Sequence, residues 1–156
     1  MELPLPPEDS ETRVEHYLHE HIPLSAAMGV RVAHAAPDCV RLFAPLGPNV
    51  NHRETVFGGS SASVATLAAW TLLHLRLIRE ELRARPVIQR SRMEYERPIP
   101  GDFEAICRLM DETAWNRFRT LLVRRGRARI ALSADLTYRG ARMAAFEGEF
   151  VAIASC

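Results

Sequence analysis

The chain has 156 residues, 47% of them hydrophobic and 25% charged, a balance that suits one soluble globular domain with a real core. The 20 Lys and Arg against 19 Asp and Glu leave a formal net charge of +1. No global field therefore draws the molecule onto nucleic acid or an anionic membrane, and any basic patch must be local.

Cys39, Cys107 and Cys156 are odd in number and lack paired short spacing, which argues against a disulfide framework or a zinc knuckle and suits a reducing cytoplasm. Met1 to Ser10 is rich in proline and acid, without the cationic and apolar regions of a secretory signal, and is expected to be a flexible N-terminal segment. Asp9 and Ser10 are candidate N-caps for a short amphipathic helix carrying Val14, Tyr17, Leu18, His21 and Ile22, which Pro23 stops. From Gly29 to Leu46 apolar and polar residues alternate about a turn at Ala36-Pro37-Asp38, the pattern of a hairpin. A loop dense in turn formers, Gly47 to Ser60, opens directly into a helix. Over Ser61 to Leu75 that helix is apolar on nearly every side, so it is expected to be buried around most of its circumference. Charges return at Arg76, Arg79, Glu80 and Glu81 before Pro86. The apolar run Ala62 to Leu75, broken by Thr66, Thr71 and His74, falls short of the roughly 20 residues of a bilayer span, and no membrane insertion is expected.

Val87 to Tyr95 and Phe103 to Met110 read as strands joined by a stiff turn, Arg97 to Asp102. Ala114, Trp115, Phe118, Leu121 and Leu122 mark a helical face, with Gly126 where a left-handed C-terminal residue belongs. Ile130 to Tyr138 alternates strictly, and Tyr138-Arg139-Gly140 turns into a last strand ending near Ile153. The strands come in adjacent pairs, which disfavours a doubly wound parallel sheet. A long helix buried on most sides needs a sheet that curls around it. The expected architecture is a single α+β domain over 1–156, an antiparallel sheet wrapped round a central helix.

The run Asn51-His52-Arg53-Glu54-Thr55-Val56-Phe57-Gly58-Gly59-Ser60 resembles the hotdog superfamily. More narrowly, it is similar to the small thioesterase family that also occurs as the C-terminal domain of bacterial YiiD-type proteins. Ile22 to Val30, Pro98 to Phe103 and Gly126 to Ile130 carry the same likeness. The resemblance implies a hotdog fold, edge-to-edge pairing of two sheets, active sites in the dimer seam, and hydrolysis of acyl thioesters. In many other hotdog thioesterases a His-Gly-Gly triplet opens the central helix and a carboxylate follows two turns in. Here Phe57 stands in the histidine's place and Thr66 in the carboxylate's, and Ser60 to Arg79 contains no acid.

Thioester hydrolysis needs a group that polarises the carbonyl, a positioned water, a proton acceptor and a groove for the acyl tail. Gly59 and Ser60 offer backbone N–H groups at a helix start, where the dipole favours developing negative charge; Gly58-Gly59 could equally just permit a tight turn. His52 is the best placed proton acceptor, although a loop histidine is more often a surface residue. Asn49 and Asn51 could orient water or the thioester oxygen, or be plain turn residues. Glu54 is the one nearby carboxylate. Thr55, Ser63 and Thr66 could hold the water, while hydroxyls inside a helix commonly bond back to the preceding turn. No nucleophile elbow surrounds Ser60, and Cys107 reads as inert core. Phe57, Leu67, Trp70 and Met93 are candidate tunnel residues. Arg124, Arg125, Arg127 and Arg129 could grip phosphates of coenzyme A or an acidic carrier protein, or simply answer the dipole of a helix C-terminus. Arg90 and Arg92 form a second such pair.

His16, His19 and His21 lie on different faces of a helix, so no metal is expected, and no cofactor beyond the coenzyme A or phosphopantetheine of the substrate. The leading expectation is a cytoplasmic acyl-CoA or acyl-ACP thioesterase that forms a homodimer, with further pairing into a homotetramer open. A hotdog dehydratase would need a histidine facing a carboxylate, and the acid-free central helix weighs against it. A non-catalytic acyl-CoA or acyl-ACP binding module is the remaining alternative.

Overall fold

A computed structural model of the chain describes residues 10–156. The expectations for a flexible N-terminal segment and for capping by Asp9 fall on residues outside the described ones, Ser10 apart.

Helix α1, Ser10–His21, ends where Pro23 begins a second short helix, α2, Pro23–Ala27, a first-turn proline being harmless because its missing N–H has no helical partner. Strands β1, Arg31–Ala36, and β2, Cys39–Ala44, form the expected hairpin. A single 3-10 turn, Gly47–Asn49, starts the loop that enters α3, Gly58–Arg79. Then come β3, Ala84–Tyr95; β4, Phe103–Arg108; α4, Glu112–Arg125; β5, Arg127–Tyr138; and β6, Ala141–Ala154. Helix α4 starts where the Asp111 carboxylate accepts the Ala114 N–H at 3.0 Å and stops at Gly126, whose φ of 70° is the left-handed conformation expected there.

The six strands make one antiparallel sheet in the order β1-β2-β4-β5-β6-β3. One expectation is corrected here. β3 and β4, read as strands joined by a turn, do not pair: β3 lies at the sheet's edge against β6, while β4 lies between β2 and β5. The segment between them is a crossover. Ile99 within it is buried and its carbonyl accepts the Val56 N–H at 2.9 Å, so the two prolines stiffen a packed connection.

The sheet curls round α3, whose Val64, Ala65, Ala68, Ala69, Leu72 and Leu73 have no accessible surface. By length and composition α3 is long and apolar enough to cross a membrane, exceeding the apolar run that suggested otherwise, but it packs within the sheet. Its C-terminal end is tied to α4: Glu80 accepts the Trp115 indole N–H at 2.8 Å, and Arg76 bonds Glu112 at 2.7 Å.

Burial of α3 is incomplete along one stripe. Gly59 is exposed, and Ala62, Ser63, Thr66, Trp70 and His74 are only partly covered, positions that recur every three or four residues and so share one face. The open edge strand β3 is exposed along nearly its whole length, including Val87, Ile88 and Tyr95 at 50%, 39% and 57%. The uncovered stripe and the uncovered strand together frame the candidate site.

Candidate active site

The loop before α3 is held by its asparagines. Asn49 is buried, and its side-chain amide N–H donates to the Met28 and Pro45 carbonyls at 2.8 Å each, while its backbone carbonyl accepts the Phe57 N–H at 2.8 Å. Asn51 folds the loop tip: its Oδ1 accepts the Arg53 and Thr55 amides, and its Nδ2 donates to Thr55 Oγ1 at 2.9 Å. Glu54 follows with φ 61°, a left-handed position uncommon for a residue with a side chain. This knitted turn presents His52, Arg53 and Glu54 to solvent, with no side-chain hydrogen bond or ion pair among the described residues.

Phe57 is the N-terminal flanking residue of α3 and supplies no side-chain cap. Its carbonyl accepts the amides of Ser60 and Ser61 at 2.9 and 3.1 Å, which leaves the Gly58 and Gly59 amides without an acceptor among the described residues. A side chain at either glycine would crowd an exposed aromatic ring. A Cβ on Gly59 would lie 2.4 Å from the Phe57 ring, and one on Gly58 would lie 3.3 Å from the ring of Tyr95. Tyr95 also donates its hydroxyl to the Gly58 carbonyl at 3.1 Å. That oxygen belongs to the planar peptide unit whose N–H is the Gly59 amide, so Tyr95 holds the unit that would face a thioester oxygen. Sequence reasoning missed Tyr95, which lies 37 residues further on and comes to the helix only through the placement of β3. An exposed aromatic closing an edge strand was its one signal.

Alongside the next three turns of α3 runs an apolar cavity of about 330 Å³, lined by Ile22, Leu24 and Met28, by Ala62, Ser63, Thr66, Leu67 and Trp70, and by Ile88 and Phe150. Of the expected tunnel residues, Leu67 and Trp70 line it; Phe57 lies over Gly59, and Met93 is not part of the lining. The α2 side and the two sheet residues were not anticipated, because their contribution is set by tertiary packing.

Both cavity hydroxyls bond back to the helix: Ser63 donates to the Gly59 carbonyl and Thr66 to the Ala62 carbonyl, each at 2.8 Å. With their protons committed, their oxygens can only accept, which suits them to receive a hydrogen bond from a water and not to remove its proton. Ser60 stands beside the free amides and is partly exposed.

The arginines lie elsewhere. Arg124 and Arg125 close α4, and Arg127 and Arg129 open β5, all exposed. That end of α4 and β5 packs beside the last strand, where Ala154 bonds Gly126 and Ser155 bonds Arg83, and α4 is tied to the far end of α3 by Glu80. Within one chain they are therefore not brought together with Gly59. Arg90 and Arg92 are ion-paired with Glu149 and Glu94 at 2.8 and 2.9 Å. Cys107 is fully buried, and burial pushes its thiol up to about 12, which keeps it protonated.

Six antiparallel strands curled round one long helix, with free amides at the helix start and an apolar cavity down its open face, define a hotdog-fold protein. The chain belongs to the family described as "Putative thioesterase (yiiD_Cterm)", whose family model matches residues 11–154. Among solved structures it is similar to a protein of unknown function from Chlorobaculum tepidum, with 28% identity, a TM-score of 0.87 and coverage of 96% of this chain and 97% of that one. It is similar also to a "putative thioesterase" from Shewanella oneidensis, with 25% identity, a TM-score of 0.81 and coverage of 92% and 96%. A Pseudomonas aeruginosa protein described as a "Probable Thioesterase" matches at 25% identity and TM-score 0.83, covering 98% and 99%. Family and fold support thioester hydrolysis as the general activity.

Proposed function

We propose that the chain hydrolyses acyl thioesters of coenzyme A or of an acyl carrier protein. The observation that carries this reading is the sharing of one helix face by the free Gly58 and Gly59 amides and by the apolar cavity that begins one turn later. A thioester carbonyl set against the Gly59 N–H gains a donor where its oxygen becomes negative in the tetrahedral intermediate, with the helix dipole adding to the effect. The acyl chain then continues along Ala62, Thr66 and Leu67. Tyr95 acts as a positioning residue through the Gly58 carbonyl. The attacking water is received by the Ser63 and Thr66 oxygens, and its proton passes to the loop tip, to His52 or to Glu54. Water adds to the carbonyl carbon, the intermediate collapses, and the thiolate leaves with the proton to give a carboxylic acid and a free thiol.

The functional unit in this reading is a homodimer joined through the β3 edges, which pairs the unsatisfied backbone of that strand and covers Val87 and Ile88. The partner's loop and arginines then reach the seam from the other chain.

The test is thiol release from a panel of acyl-CoA and acyl-ACP esters, with His52→Ala alongside. Turnover that falls in the variant supports the mechanism; no thiol release from any ester sinks it. A second reading, a non-catalytic acyl-binding module, is favoured by one observation: no carboxylate stands along α3 and both cavity hydroxyls have given their protons to the helix. Acyl-ester binding without thiol release would establish it.

A further inference from the structure

The far end of the cavity is Trp70, the last α3 residue of its lining, and this side chain is fixed in three ways. Its indole N–H donates to the Pro86 carbonyl at 3.0 Å. Its ring stacks on His74 with centroids 4.7 Å apart and planes at 14°. His74 stacks in turn on Tyr17 at 5.1 Å, and Tyr17 on His21 at 4.1 Å. Four flat rings thus bridge from α3 to α1. Behind them lies a void of about 10 Å³ lined by Val14, Tyr17, Leu18, Thr71, His74, Leu75 and Ile78, at most the room one water needs. An acyl chain that starts at Gly59 and follows the helix face meets the Trp70 ring held by these contacts.

We propose that Trp70 is the stop that limits acyl length, so that the preferred substrates are medium-chain thioesters. This inference rests on the thioesterase reading above. Gly59 and Trp70 stand three turns apart on α3, about 16 Å at roughly 1.5 Å rise per residue, a reach that an extended medium-length acyl chain fills. Butyryl chains leave it mostly empty and forgo apolar burial with each missing methylene. Palmitoyl chains do not fit without expelling the indole, which would break its hydrogen bond and the stack.

The experiment measures kcat/KM against acyl length from butyryl to stearoyl CoA for the wild type, Trp70→Ala and Trp70→Phe, with calorimetric binding of the same esters in parallel. A wild-type maximum near decanoyl, with at least a tenfold fall by palmitoyl, is expected. Trp70→Ala is expected to move the maximum toward myristoyl and palmitoyl, and Trp70→Phe, which keeps a stacked ring, to move it less. A wild type indifferent to length, or a folded Trp70→Ala with an unchanged profile, would overturn the proposal. If Trp70→Ala does not fold, the profile of Trp70→Phe decides. Absence of turnover with every ester would defeat the thioesterase reading alone, because the length profile of binding still shows whether Trp70 is the stop.

Discussion

A Cβ on Gly59 would meet the ring of Phe57, an exposed side chain that would have to swing aside, and glycine leaves the backbone amide uncovered at the helix start. Gly59→Val keeps the backbone N–H but sets a branched side chain where the thioester oxygen must approach it, and thiol release is expected to fall by about a hundredfold, the scale of an oxyanion donor put out of reach. Tyr95→Phe removes only a hydroxyl. Because that hydroxyl acts on the peptide unit and not on substrate, kcat is expected to fall by about tenfold with KM unmoved, while the melting temperature shifts only as the loss of one exposed hydrogen bond allows, about 1 kcal/mol. A parallel loss of KM and stability would mark Tyr95 as merely structural. His52→Ala is expected to slow turnover by about tenfold or more, within the range of a lost proton acceptor. At this scale the sequence showed the glycine pair, the two hydroxyl positions and the missing acid, because all of them lie within 20 residues on one loop and helix. Tyr95 was not legible, since its contact depends on where another strand lies.

Helix α3 was readable as an element because its apolar residues occur on almost every side, and the same fact predicted a sheet wrapped round it. Pairing of the strands was less legible. Neighbouring strands usually pair, yet the Arg97 to Asp102 segment crosses from the sheet edge to its middle, a difference that turn residues alone do not encode. The stack between α3 and α1 has its own consequence. Burial, and secondarily His21, hold His74 down to about 4 from an ordinary 6.5, so it sits neutral among aromatic rings. Between those pH values the unfolded chain binds a proton at this position and the folded chain does not, so stability is full above pH 6.5 and is lost as pH falls toward about 4. The loss amounts to about 3 kcal/mol as an upper figure. Calorimetry across that range is expected to show a falling melting temperature, and His74→Phe, which keeps the stacked ring, is expected to flatten the curve. An equally steep curve in the variant would place the acid sensitivity elsewhere.

For the whole molecule the deciding feature is β3, a 12-residue edge strand with apolar Val87 and Ile88 uncovered. Long exposed edges of this kind recruit another strand. Sedimentation is expected to give at least twice the chain mass of 17.6 kDa, and Ile88→Asp, which places a charge on that edge, is expected to shift the population toward monomer. A wild-type monomer would refute pairing through this edge. The same strand ends in Tyr95, so the group that steadies the Gly58 carbonyl is carried on the surface where two chains would meet. Catalytic competence and association then become a single equilibrium. Specific activity should decline on dilution, return with added substrate analogue, and rise in proportion to enzyme concentration when most of the protein is dissociated; in a cell, the abundance of the chain would itself be a throttle on its rate.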